Sequence, residues 1–258
     1  MFDAMVHGKI DTGDISYEVH LADILHLNQM VIKGELDMVK ISYNTYGQVL
    51  NQYQLLSAGS ALGHDCGPLL ISHKKLSVEE VVEKELPIAI PGKNTTANLL
   101  LGYYAPEIRN KKEYIFHEIM PAILSGEVAA GVIIHENRFT YQEAGLQLIQ
   151  DLGAYWESTT ELPIPLGAIV ARKTLGESVI RKLQNHMRES VAYAFSNPNE
   201  SKAFVRKHAQ EMNENVMKAH IQLYVNDYSL DLGEKGNRAV RKLLETGNKM
   251  GLYTKGIQ

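Results

Sequence analysis

Five short apolar runs, Leu36 to Ser42, Pro68 to Ser72, Pro87 to Ile90, Gly131 to His135 and Gly167 to Ala171, alternate with stretches of helical periodicity, and they constrain this chain more than any other feature. Each is too short for a buried helix and is bounded by turn-forming residues, so each reads as a strand covered on both faces. Buried strands separated by amphipathic helices give an α/β fold with mainly parallel sheets. At 258 residues the chain sits where one hydrophobic core begins to divide into two.

Two of the runs echo each other. Val31-Ile-Lys-Gly-Glu-Leu-Asp-Met-Val-Lys-Ile-Ser42 and Ile123-Leu-Ser-Gly-Glu-Val-Ala-Ala-Gly-Val-Ile-Ile-His135 both run from a helix end through Gly-Glu into an apolar strand. The echo marks either two similar lobes or only the helix-Gly-strand unit common in α/β folds; in both cases Ser42 and His135 end strands and could face one cleft, because ligands of open α/β sheets sit beyond the carboxyl ends of strands. Crossings near Ser72 to Leu76 and near Pro163 to Gly167, the latter stiffened by two prolines, divide the chain. The first lobe takes residues 1–72 and 166–258, and the second, residues 73–165, is inserted in it. Helices from Glu177 through Tyr193, from about Ser201 to Val225 and from Glu234 to Met250 are expected to cover the first lobe.

Charge narrows the partners. Lys and Arg total 26 against 30 Asp and Glu, without a dense basic run, so there is no electrostatic footprint for nucleic acid or an anionic membrane. A small molecule is the expected partner, and no obligate protein partner is evident. No apolar stretch reaches the roughly 18 residues of a membrane span, and the N-terminal residues lack the plan of a secretory signal. Cys66, the single cysteine, cannot form an internal disulfide. A cytoplasmic setting is expected.

His135 closes the run Gly131-Val-Ile-Ile-His135, and Glu136 and Arg138 follow it, so a strand end would deliver an imidazole, a carboxylate and a guanidinium to one rim. An imidazole so mounted can accept a proton near neutrality. The other histidines, His7, His20, His26, His64, His73, His117, His186, His208 and His220, lack that placement and read mostly as surface or helix-packing residues. Ile90-Pro-Gly-Lys-Asn-Thr-Thr-Ala-Asn-Leu-Leu-Leu101 reads as strand, turn and helix start, capped by Asn94, Thr95 or Thr96. The pattern fits either plain N-capping or an anion site, whose charge the free N–H groups would suit. Gly63-His-Asp-Cys-Gly67 is a Gly-bounded loop that either admits a ligand close to the backbone or is an ordinary turn. Zinc-protease spacing, a nucleophile elbow, a dinucleotide fingerprint and a phosphate loop do not occur, so metal, serine-hydrolase and nicotinamide chemistry lose ground and no metal site is expected.

Taken in order, Phe2-Asp-Ala-Met-Val-His-Gly8, Val39-Lys-Ile-Ser-Tyr43, Ala61-Leu-Gly63 with Cys66-Gly-Pro-Leu69, Pro91-Gly92 with Thr95-Thr-Ala97, and Ile134-His-Glu-Asn-Arg-Phe-Thr-Tyr141 resemble the 1,4-dihydroxy-6-naphthoate synthase family. Asp151-Leu-Gly-Ala-Tyr-Trp156, Leu162-Pro-Ile-Pro-Leu-Gly-Ala168 and Tyr224-Val-Asn-Asp-Tyr-Ser-Leu-Asp-Leu-Gly233 extend the resemblance over nearly the whole chain. It implies a type 2 periplasmic-binding-protein-like fold. It also implies a cofactor-free lyase that converts cyclic dehypoxanthinyl futalosine, a carboxylate, to 1,4-dihydroxy-6-naphthoate in menaquinone biosynthesis. By motif, His135 matches the family's proton acceptor, Lys40, Ile41 and Ser42 its first substrate-binding strand end, and Thr96 and Ala97 its second. Relatives carry a strand and a Ser-Pro-Cys-Pro-Asn-Asp-Thr loop just before the residues that match Met1-Phe2-Asp3. The first lobe is therefore expected to lack that strand and part of its pocket wall.

The alternative reading is a non-catalytic solute-binding protein of the same fold, whose cleft would need no base. His135 in its His-Glu-x-Arg-Phe-Thr-Tyr setting favours the enzyme.

Overall fold

The computed structural model describes residues 1–208 and 213–253. Residues 209–212, within the helix expected from Ser201 to Val225, lie outside the described residues, as does the side chain of His208. Among the described residues nine strands form two sheets: β1 (Met38–Ser42), β2 (Tyr53–Leu55), β3 (Ala61–Gly63), β4 (Leu69–Ser72), β5 (Ile88–Ile90), β6 (Lys111–Glu113), β7 (Ala130–Ile133), β8 (Gln147–Asp151) and β9 (Ile164–Arg172).

The first sheet is organised around β9. β1 runs antiparallel along one side of it, from Met38 opposite Ala171 to Ser42 opposite Gly167, while β2 and β3 follow each other on its other side, also antiparallel. Alternate β9 residues serve two faces, as period two requires. Ile169 and Ala171 meet Ile180, Leu183, Met187 and Val191 of the helix Glu177–Ser196. Ala168 and Val170 join the core that holds Val49, Ala239, Val240 and Leu243, from the helices Tyr43–Val49 and Gly233–Lys249. Full burial of each such Ile, Leu, Met or Val contributes about 1.5–3 kcal/mol.

The second sheet has the order β6-β5-β7-β4-β8. Only β6-β5-β7 is parallel; β4 runs against both β7 and β8. The first sheet is thus wholly antiparallel and the second mixed, where the alternation of runs predicts mainly parallel sheets. Parallel pairing needs a crossover helix between partners. Here the helices Thr96–Tyr104 and Ile119–Leu124 supply such crossovers only between β5 and β6 and between β6 and β7.

Leu69–Ser72, assigned above to the first lobe, is hydrogen-bonded between β7 and β8 in the second sheet. All four of its residues are buried and require cover on both faces, which the second sheet provides. The outward crossing therefore precedes Leu69. On the return, Ile164–Arg172 lies wholly in the first sheet, proline included. Pro165 lies beyond the end of the β1 pairing at Gly167 and beside a register shift between Ala61 and Leu62, where its missing N–H is tolerated.

Candidate active site

Between the two sheets lies a cavity of about 160 Å³. Lys40 and Ser42 of β1, Ala61 of β3, and Leu166 and Gly167 of β9 line it from the first sheet. Cys66 and Pro68 come from the crossing, Thr95 to Ala97 from a helix start, Ile134 and His135 from the exit of β7, and Ile24, His220 and Tyr224 from helices.

β1 delivers alternate residues. Lys40 and Ser42 share the cavity face, while Ile41 points the other way and is fully buried in the core. The substrate-binding set expected from Lys40, Ile41 and Ser42 thus reaches the cavity through two side chains. Asn28 fixes Ser42 twice: its Nδ2 donates to Ser42 Oγ and its Oδ1 accepts from the Ser42 N–H, both at 3.0 Å. Burial pulls the Lys40 ammonium down to about 8, because removing a charge from water disfavours it.

Thr95 caps the helix Thr96–Tyr104: its Oγ1 accepts from the Asn98 N–H at 3.3 Å and donates to Gly92 O at 2.7 Å. The Thr96 hydroxyl ties this start to the first lobe, donating to Leu166 O at 2.9 Å and accepting from the Asn44 N–H at 3.4 Å. Asn44 Nδ2 donates in turn to Thr95 O, and Thr45 Oγ1 to Asn94 O. The backbone N–H groups of Thr96 and Ala97 have no acceptor among the described residues. They stand at the positive end of the helix dipole on the cavity wall.

β7 ends at Ile133, two residues short of His135. His135 turns the chain with φ +58°, the left-handed region that few side chains adopt. Its ring meets Phe116 edge to face at 5.0 Å and His220 at 5.9 Å. Burial, then the neighbouring His220 and Lys40, press its pKa down to about 3, so the free imidazole is neutral. His220 is pressed to about 4 by burial and by Lys40.

His220 is a correction to the sequence reading, which leaves it among surface and helix-packing histidines. It sits on the helix Glu214–Tyr224 one turn before Tyr224, ring to ring at 4.7 Å. The i, i+4 pairing with an aromatic was a signal of a shared face. What that face meets is decided by how the helix docks on β3, where Asn226 Nδ2 donates to Leu62 O at 3.0 Å.

Arg138 does not reach the cavity wall. Its guanidinium donates to Gly67 O and pairs with Asp151, each at 2.7 Å, and Asp151 also caps the helix Leu152–Thr160. Glu136 is likewise not part of the wall. The Gly-bounded loop ending at Gly67 does bring backbone close to something, namely Gly153: a Cβ on Gly67 would stand 2.3 Å from Gly153 Cα. Among the described residues no group of three or more His, Cys, Asp or Glu is placed to hold a metal ion, and no helix is long and apolar enough to cross a membrane.

The site thus joins a neutral imidazole at a strand exit, a weakened ammonium and two free N–H groups at a helix start. Such a set can hold an anion and take a proton beside it.

A family model described as menaquinone biosynthesis matches residues 1–249. The 1,4-dihydroxy-6-naphthoate synthase of Thermus thermophilus is 44% identical over 252 residues, covering 98% of this chain and 90% of that protein. The enzyme of the same name from Streptomyces coelicolor is 42% identical over 257 residues, covering 98% and 89%. A solved structure of an Archaeoglobus fulgidus protein superposes with a TM-score of 0.91 at 35% identity, over 97% of this chain and 92% of that one. The periplasmic aliphatic sulphonate-binding protein of Escherichia coli shares the fold, with a TM-score of 0.65 at 12% identity over 98% and 84%.

Proposed function

This chain belongs to the menaquinone-biosynthesis family, and from that premise we propose that it is a 1,4-dihydroxy-6-naphthoate synthase, a lyase that splits cyclic dehypoxanthinyl futalosine without metal or organic cofactor. The observation that carries the reading is the juxtaposition of His135, Lys40 and the Thr96 helix start around one cavity.

The substrate carboxylate lies against the N–H groups of Thr96 and Ala97, within reach of the Lys40 field. There the helix dipole and the ammonium offset its desolvation. Burial is the main cause that presses His135 down, but the carboxylate offsets the smaller part due to Lys40 and so favours the imidazole as a base. His135 then removes a proton from the spirocyclic ring system. Cleavage releases the sugar-derived fragment, and formation of the aromatic naphthoate supplies much of the driving force. Cys66, a free thiol buried beside the cavity, suits a reducing compartment such as the cytoplasm.

Incubating the purified protein with cyclic dehypoxanthinyl futalosine should yield the naphthoate, and His135→Ala should lower the rate by about a hundredfold or more. Binding without turnover would favour a solute-binding role instead. Full turnover by His135→Ala would remove the assigned base.

A further inference from the structure

His220 Nε2 is buried and has no hydrogen-bond partner among the described residues. An unpaired buried nitrogen disfavours the free protein unless a ligand completes it. The ring packs against two aromatic neighbours, His135 at 5.9 Å and Tyr224 at 4.7 Å. The helix that carries it is held on β3 through Asn226 and Leu62. The imidazole is therefore held at the cavity wall, with its Nε2 left unpaired.

We propose that His220 holds the sugar-derived end of the substrate, its Nε2 hydrogen-bonded to a hydroxyl group there. The inference rests on the lyase reading above and divides the substrate along the cavity. The carboxylate end is served by the Thr96 helix start and Lys40, and apolar walls such as Ala61, Pro68 and Leu166 suit the rings. A hydroxylated end needs a polar, uncharged partner beside the base, and His220 meets that description. Because burial keeps the imidazole neutral, it selects a hydroxyl over a second anion.

The reaction offers an internal control, since 1,4-dihydroxy-6-naphthoate keeps the carboxylate and rings but has lost the sugar-derived fragment. His220→Phe should raise the KM for cyclic dehypoxanthinyl futalosine about tenfold while leaving the Kd for the naphthoate within about twofold. His220→Gln, whose amide reaches the place of Nε2, should keep KM within about threefold, whereas the shorter His220→Asn should behave like His220→Phe. The contrast between Gln and Asn holds even if the Phe variant does not fold. Unchanged KM in both Phe and Asn variants, or a naphthoate Kd that rises in step with KM, would overturn the assignment. Absence of turnover by the wild-type protein would instead defeat the lyase reading, and this inference with it.

Discussion

The imidazoles of His135 and His220 meet edge to face with ring centroids 5.9 Å apart, one supplied by the exit of β7 and the other by the helix Glu214–Tyr224. Both are pressed well below the ordinary value of 6.5, His135 to about 3 and His220 to about 4. In the unfolded chain they titrate near 6.5, so between about 6.5 and 3 the unfolded state binds more protons than the folded one. Stability therefore rises with pH across that window: it is intact above about 6.5 and is lost as pH falls toward 3. The wild-type Tm should drop more steeply between pH 6.5 and 4 than that of His220→Gln, and parallel Tm curves would contradict the burial effect.

Lys40 sets the opposite limb. Its pKa of about 8 in the free protein means that the ammonium is lost as pH rises through that value. Since kcat/KM reports the free enzyme, it should fall above about pH 8, and Lys40→Arg should move that fall beyond the measurable range. A profile flat to pH 10 in the wild type would show that the ammonium is not used in binding.

The five apolar runs of the sequence correspond to β1, β4, β5, β7 and β9, because strands buried on both faces leave a continuous apolar signature. β6 and β8 left none. Lys111–Glu113 and Gln147–Asp151 are outer strands with exposed polar positions, recruited by pairing rather than by their own pattern. Lys40 and Ser42 on one face and Ile41 on the other was legible from period two alone. The left-handed turn at His135 was not, since the apolar run continues past the last paired residue at Ile133. His220 was hidden for a different reason: periodicity gives a helix face, and only tertiary docking gives what the face meets.

The backbone at His135 makes a prediction separable from its chemistry. At φ +58° an L side chain is strained, and glycine is not. His135→Gly and His135→Ala both remove the base and should be equally inactive, yet the glycine variant should be more stable by about 1 kcal/mol. Denaturant midpoints decide this, and an alanine variant as stable as the glycine one would contradict it.

Gly67 and Gly153 lie back to back where the chain enters β4. A Cβ on Gly67 would meet backbone atoms of Gly153 at 2.3 and 2.6 Å, and backbone yields less readily than a side chain. Gly67→Ala should therefore destabilise the protein by about 2 kcal/mol or more. It should also displace the crossing that positions Cys66 and Pro68, so activity should fall with stability. A Gly67→Ala protein with wild-type Tm would mean that the contact relaxes at little cost.

Thr96 tests how the helix start serves the anion. Its hydroxyl is already engaged with Leu166 O and the Asn44 N–H, which leaves backbone N–H groups rather than the hydroxyl for a carboxylate. Thr96→Val leaves a buried carbonyl and N–H unpaired and should cost about 1–3 kcal/mol. Because the same bonds hold the helix start against β9, its affinity for the naphthoate should fall as well. Thr96→Ser, which restores the hydroxyl, should recover both stability and binding. If the hydroxyl itself gripped the carboxylate, Thr96→Val would weaken naphthoate binding with its Tm unchanged. Calorimetric titration together with thermal melts of the two variants separates these roles, since only a positioning role moves stability and affinity together.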